Sequence, residues 1–270
     1  MAPVITSVKN PRVKHIIRLG KRSYRERERQ AVVEGGREVG LALDAGIVPI
    51  EVLLCPPLLD VASSIVAERC RALADAGRTE LLEVSPDVFA KIAYRESTGG
   101  LVVVIPALDR SLYEIAPAGA SLILVVDGAE KPGNIGALLR SADAAGVDLV
   151  FVCGAGTDIN NSNVIRASLG AIFTVPVVQA TYAEAVEWLR ANGNRLLAAT
   201  PDAGEIYTSV DMTGKIALVV GSEAFGISAE WRDACDVRLR IPMAGRVDSL
   251  NLSTSTAILL FEAVRQRSAA

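Results

Sequence analysis

Leu122-Ile123-Leu124-Val125-Val126-Asp127 is followed closely by Gly133-Asn134-Ile135-Gly136 and then Arg140. An unbroken apolar, largely β-branched run that stops at a carboxylate reads as a strand buried on both faces. The glycines after it mark a loop, and 135–145, stopped by Gly146, has the spacing of a helix. Strand, Gly-rich loop and helix form the repeating unit of an α/β protein. Loops at the carboxyl ends of its parallel strands are where such a protein binds ligands.

The unit recurs downstream. Strands are predicted at 148–153, 174–178, 195–200, 216–220 and 237–241, and helices at 163–169, 182–192, 228–235 and 249–265. Upstream, 10–29 is helix-like, 30–36 is a short strand ending in a turn, and 37–45 and 64–76 are helices. Strands fall at 50–54, 80–84 and 101–105, and Ser85-Pro86 starts a helix with a cap and a first-turn proline. Alternation throughout predicts parallel sheets covered on both faces. Residues 106–120, with Pro106, Pro117 and Gly119, read as a linker between a domain at 1–105 and a domain at 121–270.

Composition narrows the chemistry. The 270 residues suffice for two cores, and the basic N-terminus lacks the apolar stretch of a signal peptide. No apolar run approaches the roughly 18 residues of a membrane span, so a cytoplasmic protein without a membrane partner is expected. Cys55, Cys70, Cys153 and Cys235 are scattered without a CxxC, against a disulfide framework or a zinc site. The single histidine, His15, argues against Ser-His-Asp or Cys-His catalysis and against a His-ligated metal, and is itself expected to be solvated. No metal is expected.

Net charge is −3, unevenly spread. Residues 1–30 carry nine Lys or Arg against two Glu, or +7, leaving −10 for the remainder. Such asymmetry suits phosphate contact and makes Lys9, Arg12, Lys14, Arg18, Lys21 and Arg22 candidate RNA-binding residues. A solvated helix face laced with Arg/Glu pairs is the alternative for Arg25-Glu26-Arg27-Glu28-Arg29.

Three strand-end clusters carry the candidate site. Asn134 lies at or near a helix start, where capping is the ordinary use of Asn, and Arg140 lies between one and two turns along. Gly221-Ser222-Glu223 follows the apolar run Ala217-Leu218-Val219-Val220, where a glycine permits close approach of a ligand. Ile241-Pro242-Met243-Ala244-Gly245 and Ser249-Leu250-Asn251-Leu252-Ser253 set small polar groups into an apolar segment. Capping accounts for Ser249 or Asn251 but hardly for both. There is no GxGxxG, so a nicotinamide enzyme fits poorly.

Together, Asn134-x-Gly136-x-x-x-Arg140, Gly221-x-Glu223-x-x-Gly226 and Ile241-Pro242-Met243-x-Gly245 running into Ser249-Leu250-Asn251-x-Ser253 resemble the three motifs of the SpoU/TrmH branch of the SPOUT methyltransferases. Val164-Ile165-Arg166-Ala167-Ser168-Leu169-Gly170-Ala171 resembles the stretch between the first two. The resemblance covers the whole second half in order. More loosely, Ile5 to Lys14 and Val33-Glu34-Gly35 resemble the family's substrate-binding domain, which is like ribosomal protein L30e. Ser97-Thr98-Gly99-Gly100 stands where members often carry Pro-Gln-Gly.

The resemblance implies an α/β fold with a C-terminal trefoil knot, S-adenosylmethionine as methyl donor, a homodimer, and methylation of a ribose 2′-hydroxyl in RNA. It assigns cofactor binding to Ala199, Thr200, Gly221, Ser222, Glu223, Ile241, Met243, Ser249 and Leu250. It assigns catalytic positions to Arg140, Asn134, Glu223, Ser249 and Asn251. Arg140 is sometimes treated as the base in this family, yet a guanidinium is effectively always protonated in proteins. Binding the adjacent phosphate and orienting the hydroxyl is the alternative. The two-domain layout favours rRNA, 23S above all, and some two-domain members confer antibiotic resistance. A tRNA substrate and a non-catalytic RNA-binding role remain alternatives.

Overall fold

A computed structural model describes residues 4–93, 99–108, 112, 119, 121–154, 156, 158–247 and 249–269. Most of the expected linker at 106–120 and Ser97-Thr98 lie outside the described residues. The chain divides into two compact units, one of 1–108 with 158–173, the other of 109–157 with 174–270.

The first unit opens with α1 (Pro11–Leu19), α2 (Arg22–Glu28) and β1 (Gln30–Glu34). One continuous helix over 10–29 does not form. The chain turns at Gly20 and Lys21, and the Arg25 guanidinium donates to the freed Leu19 carbonyl (2.8 Å) and pairs with Asp158 (2.8 Å). Arg25 is thus buried rather than part of a solvated face. Then follow α3 (Gly36–Asp44), β2 (Glu51–Leu54), α4 (Val61–Asp75), β3 (Glu80–Glu83), α5 (Pro86–Ile92) and β4 (Leu101–Pro106). Ser85 accepts from the Val88 amide, the expected cap.

The strands order as β1-β4-β2-β3, with β4 antiparallel to β1 and β2, and β2 parallel to β3. The all-parallel expectation fails here, because an apolar strand reads the same whichever way its neighbour runs. Val13, Ile16 and Leu19 of α1 pack with Leu53, Phe89, Val102 and Val104 in one core. The basic N-terminal segment is therefore anchored by its apolar stripe.

The second unit contains β5 (Leu122–Asp127), α6 (Pro132–Ala144) and β6 (Leu149–Cys153). The segment 158–173, which the sequence places inside the 121–270 domain, clusters with the first unit and carries α7 (Ser162–Ala167). After it come α8 (Ala171–Thr174), β7 (Val177–Ala180), α9 (Tyr182–Ala191), β8 (Arg195–Ala199), β9 (Glu205–Ile206) and β10 (Ile216–Gly221). α10 (Ala229–Ala234), β11 (Val237–Arg240) and α11 (Leu252–Ser268) complete the chain. β7 starts later than expected because 171–174 is helical, and β9 was not anticipated.

These strands form a seven-stranded sheet, ordered β7-β6-β5-β10-β8-β11-β9, and every pairing is parallel. One face packs Ile123, Phe151, Ala198 and Val219 against Leu189 of α9 and Trp231 of α10. Burying a side chain of this size stabilises the fold by about 1.5–3 kcal/mol relative to exposure. Parallel pairing sets the carboxyl ends of β5, β10, β8 and β11 along a single sheet edge, where the motif loops begin.

Candidate active site

The loops after β8 and β11 are the first to converge. The Thr200 amide donates to the Leu239 carbonyl (2.9 Å), tying the end of β8 to β11. Beside them lies a cavity of about 430 Å³, within the range of small-molecule sites. Ala199, Thr200, Ile241, Met243, Ser249 and Leu250 all line it, six of the nine expected cofactor residues. Leu239, Arg240, Val247, Ser255 and Leu259 also line it. They carry no motif signal, although Ser255 and Leu259 stand one helical turn apart on α11. Arg240 and the hydroxyls of Thr200, Ser249 and Ser255, beside Leu239, Ile241, Met243, Leu250 and Leu259, make a slot of mixed polar and apolar lining.

Gly221, Ser222 and Glu223 do not line that cavity. They form a closed turn after β10, in which the Ser222 amide donates to the Gly226 carbonyl (3.1 Å) and the Gly226 amide to the Ser222 carbonyl (2.9 Å). A Cβ on Gly221 would lie 2.1 Å from the Gly226 carbonyl and 2.2 Å from the Ile227 nitrogen. The glycine is thus required by the chain's own return, where the sequence suggested approach by a ligand. Ser222 is buried and accepts from the Phe225 amide (3.1 Å), whereas Glu223 is exposed.

α6 begins at Pro132, with Lys131 at the cap position, because proline is pre-set for a first helical turn. Asn134 therefore stands inside the first turn and does not cap. Its Oδ1 accepts from Asn251 Nδ2 (3.2 Å), and its own Nδ2 is buried without a partner. Asn251 is the cap of α11, accepting from the Ser253 amide (3.0 Å) and hydroxyl (2.6 Å). The last helix accordingly starts at Leu252, three residues later than expected, which frees Ser249 for the cavity. Arg140 is exposed on α6 and has no hydrogen-bond or ion-pair partner among the described residues.

Of the candidate RNA-binding residues, Lys9, Arg12, Lys14, Arg18, Lys21 and Arg22 are all exposed. Arg12 bridges Glu51 (2.6 Å) and Glu80 (2.7 Å), which raises its pKa, the Glu51 bond contributing most. Arg22 pairs with Glu26 (2.7 Å). His15 is half-buried, not solvated, because its ring nitrogens meet Tyr24 Oη (3.0 Å) and Gln30 Oε1 (2.7 Å). Burial pushes the Cys153 and Cys235 thiols up to about 12 and Cys70 to about 11, making them inert thiols at neutral pH. Among the described residues no cluster of three or more His, Cys, Asp or Glu could hold a metal, and no helix is long and apolar enough to cross a membrane.

Comparison with known proteins agrees with this arrangement. Residues 121–261 match the model of the SpoU rRNA methylase family, and residues 10–103 match an MRM3-like substrate binding domain. A 23S rRNA (uridine(2479)-2′-O)-methyltransferase of Streptomyces viridochromogenes is 31% identical over 92% of this chain and 87% of its own. An AdoMet-bound rRNA methyltransferase from Sinorhizobium meliloti superposes with a TM-score of 0.88 at 30% identity, covering 98% of both chains. An RNA 2′-O ribose methyltransferase structure gives 0.82 at 40% identity, covering 98% of this chain and 100% of its own. A sheet edge gathering all three motif loops, with two family models matched in order, makes this chain a member of the SpoU rRNA methylase family.

Proposed function

We propose that the protein transfers a methyl group from S-adenosylmethionine to the ribose 2′-hydroxyl of one nucleotide in rRNA, with 23S rRNA favoured. The observation that carries this reading is the cavity at the ends of β8 and β11, where the loop after β8 meets both segments of the third motif. Its lining fits the donor: apolar side chains suit a purine and the methionine carbon chain, and the hydroxyls of Thr200, Ser249 and Ser255 suit the polar ends. When bound, S-adenosylmethionine supplies an activated methyl group on a good leaving group.

The chain's own residues would then position the nucleophile and manage its proton. Arg140, unpaired and exposed, would hold the adjoining phosphate and orient the hydroxyl. Asn134 offers its buried, unpaired Nδ2 as a donor, and Asn251 holds Asn134 in place. Ser249 lies on the cavity wall. Glu223, exposed on the neighbouring turn, would meet the substrate side of the site. The substrate-binding domain at 1–105, with Lys9, Lys14, Arg18 and Lys21 exposed, would engage rRNA phosphates.

Family membership supports a trefoil knot in the segment from β8 to α11, and α11 supports a homodimer. On it Phe261, a large apolar side chain, is 48% exposed, surface that a second subunit would cover. An rRNA substrate would place the enzyme in the cytoplasm. The relative's name, a 23S rRNA 2′-O-methyltransferase, makes 23S rRNA the first substrate to test. Resistance to a ribosome-targeting antibiotic would follow if the methylated nucleotide lies in a drug site.

The test is tritiated methyl transfer from S-adenosylmethionine to 16S rRNA, 23S rRNA and bulk tRNA, followed by mapping of the modified nucleotide. Label on one 2′-oxygen of rRNA is expected. Label confined to a base, or to tRNA, overturns the assignment.

A further inference from the structure

Phe225 stands on the turn after β10 and is 81% exposed. The turn fixes it there, through the paired backbone bonds of Ser222 and Gly226 and the bond from the Phe225 amide to Ser222 Oγ (3.1 Å). A phenyl ring held in water forgoes the burial that ordinarily stabilises an aromatic side chain. Its neighbours on the turn, Glu223 and Ala224, offer no further large apolar surface, so one isolated ring is presented.

An independent feature adjoins it. The Arg232 guanidinium, on α10, is the group nearest to the vacant side-chain position of Gly226, at 3.8 Å. Arg232 is exposed and has no hydrogen-bond or ion-pair partner among the described residues, and the same holds for Arg238 of β11. Both lie near Asp202, whose carboxyl is held below its ordinary value first by the Thr200 hydroxyl and then also by these two charges.

An exposed aromatic ring on a fixed turn, with an exposed guanidinium close by, is the chemistry that holds single-stranded nucleic acid: the ring stacks on a base while the cation follows the phosphates. We infer that Phe225 and Arg232, with Arg238, form an RNA platform on the methyltransferase unit, Phe225 stacking on an unpaired base and the arginines holding the adjoining phosphates. This rests on the RNA methyltransferase reading. It adds a point of RNA contact outside the N-terminal unit, at the same sheet edge as the cavity.

The experiment measures fluorescence-detected binding of the full-length protein to a short single-stranded RNA containing 2-aminopurine, and to a 23S rRNA transcript. Phe225→Ala should weaken binding of the short RNA between about fivefold and about a hundredfold and abolish quenching of the 2-aminopurine. Phe225→Trp should retain both, and Phe225→Leu should behave like Phe225→Ala. Arg232→Ala should lower the slope of log affinity against log salt by about 0.7. S-adenosylmethionine binding by calorimetry should stay within twofold in every variant. The inference is overturned if Phe225→Ala binds RNA like the wild type, if Phe225→Leu restores binding, or if Phe225→Ala changes the sedimentation coefficient, which would make the ring a protein contact. If wild-type protein methylates rRNA and Phe225→Ala matches it, only the platform falls; if wild-type protein binds no RNA, the methyltransferase reading falls with it.

Discussion

Asn251 Nδ2 donates to Asn134 Oδ1 across 3.2 Å, joining the cap of α11 to the first turn of α6 although the two residues stand 117 positions apart. One side chain therefore ends the loop from the cavity and holds Asn134, the residue proposed to face the substrate. Asn251→Ala should cost about 1 kcal/mol from the lost cap alone, seen as a lower midpoint in urea. Asn251→Asp, which keeps the cap but not the donor, should spare the midpoint yet lower methyl transfer as Asn251→Ala does. Wild-type activity in Asn251→Asp would contradict this coupling.

Arg140 is exposed and unpaired among the described residues, so its removal leaves no orphaned partner in the fold. Arg140→Ala should lower kcat at least about a hundredfold, as loss of a positioning group does. The denaturation midpoint and the calorimetric affinity for S-adenosylmethionine should stay near wild type. Retained turnover would refute its role.

Gly221 lies where a Cβ would sit 2.1 Å from the Gly226 carbonyl. Gly221→Ala should destabilise by roughly 1–3 kcal/mol, in the manner of an overpacked core, and open the Ser222–Gly226 turn. Equilibrium unfolding and hydrogen exchange at the Gly226 amide report both effects. An unchanged midpoint would show that the turn yields freely.

Arg25 and Asp158 form a buried ion pair at 2.8 Å. Arg25→Ala alone should cost about 3–5 kcal/mol, because it strands a buried carboxylate. Replacing both partners with apolar residues of similar volume should recover most of that loss. A double variant no more stable than the single would contradict the account.

Glu262 accepts from Arg265 (2.7 Å) and Gln266 (2.8 Å), and these bonds, that of Arg265 foremost, hold its carboxyl at about 2. A carboxyl lowered in the folded state stabilises the fold fully above its unfolded value of roughly 4.3, and that contribution is lost as pH falls toward 2. Stability should decline through that window, and Glu262→Gln should flatten the decline, measured by urea midpoints from pH 5 to pH 2. An identical slope in the variant would remove Glu262 from the acid response.

The sequence by itself determined the long apolar strands, the α/β class and the motif loops. Runs such as Leu122–Asp127 and Ile216–Gly221 are legible because burial on both faces needs an unbroken apolar stretch. Tertiary structure decided whatever depends on a partner distant along the chain. The antiparallel pairings of β4 leave no local signal, since side-chain alternation is blind to the direction of the neighbour. Ser249 and Asn251 are equally good caps as residues, and only the path of the chain gave the cap to Asn251 and the cavity wall to Ser249. Gly221 was visible as a glycine, but its reason, the returning backbone at Gly226 and Ile227, exists only once the turn has closed. Arg25 read as one charge in a basic run, and folding buried it because Asp158 and the Leu19 carbonyl converge there to satisfy it.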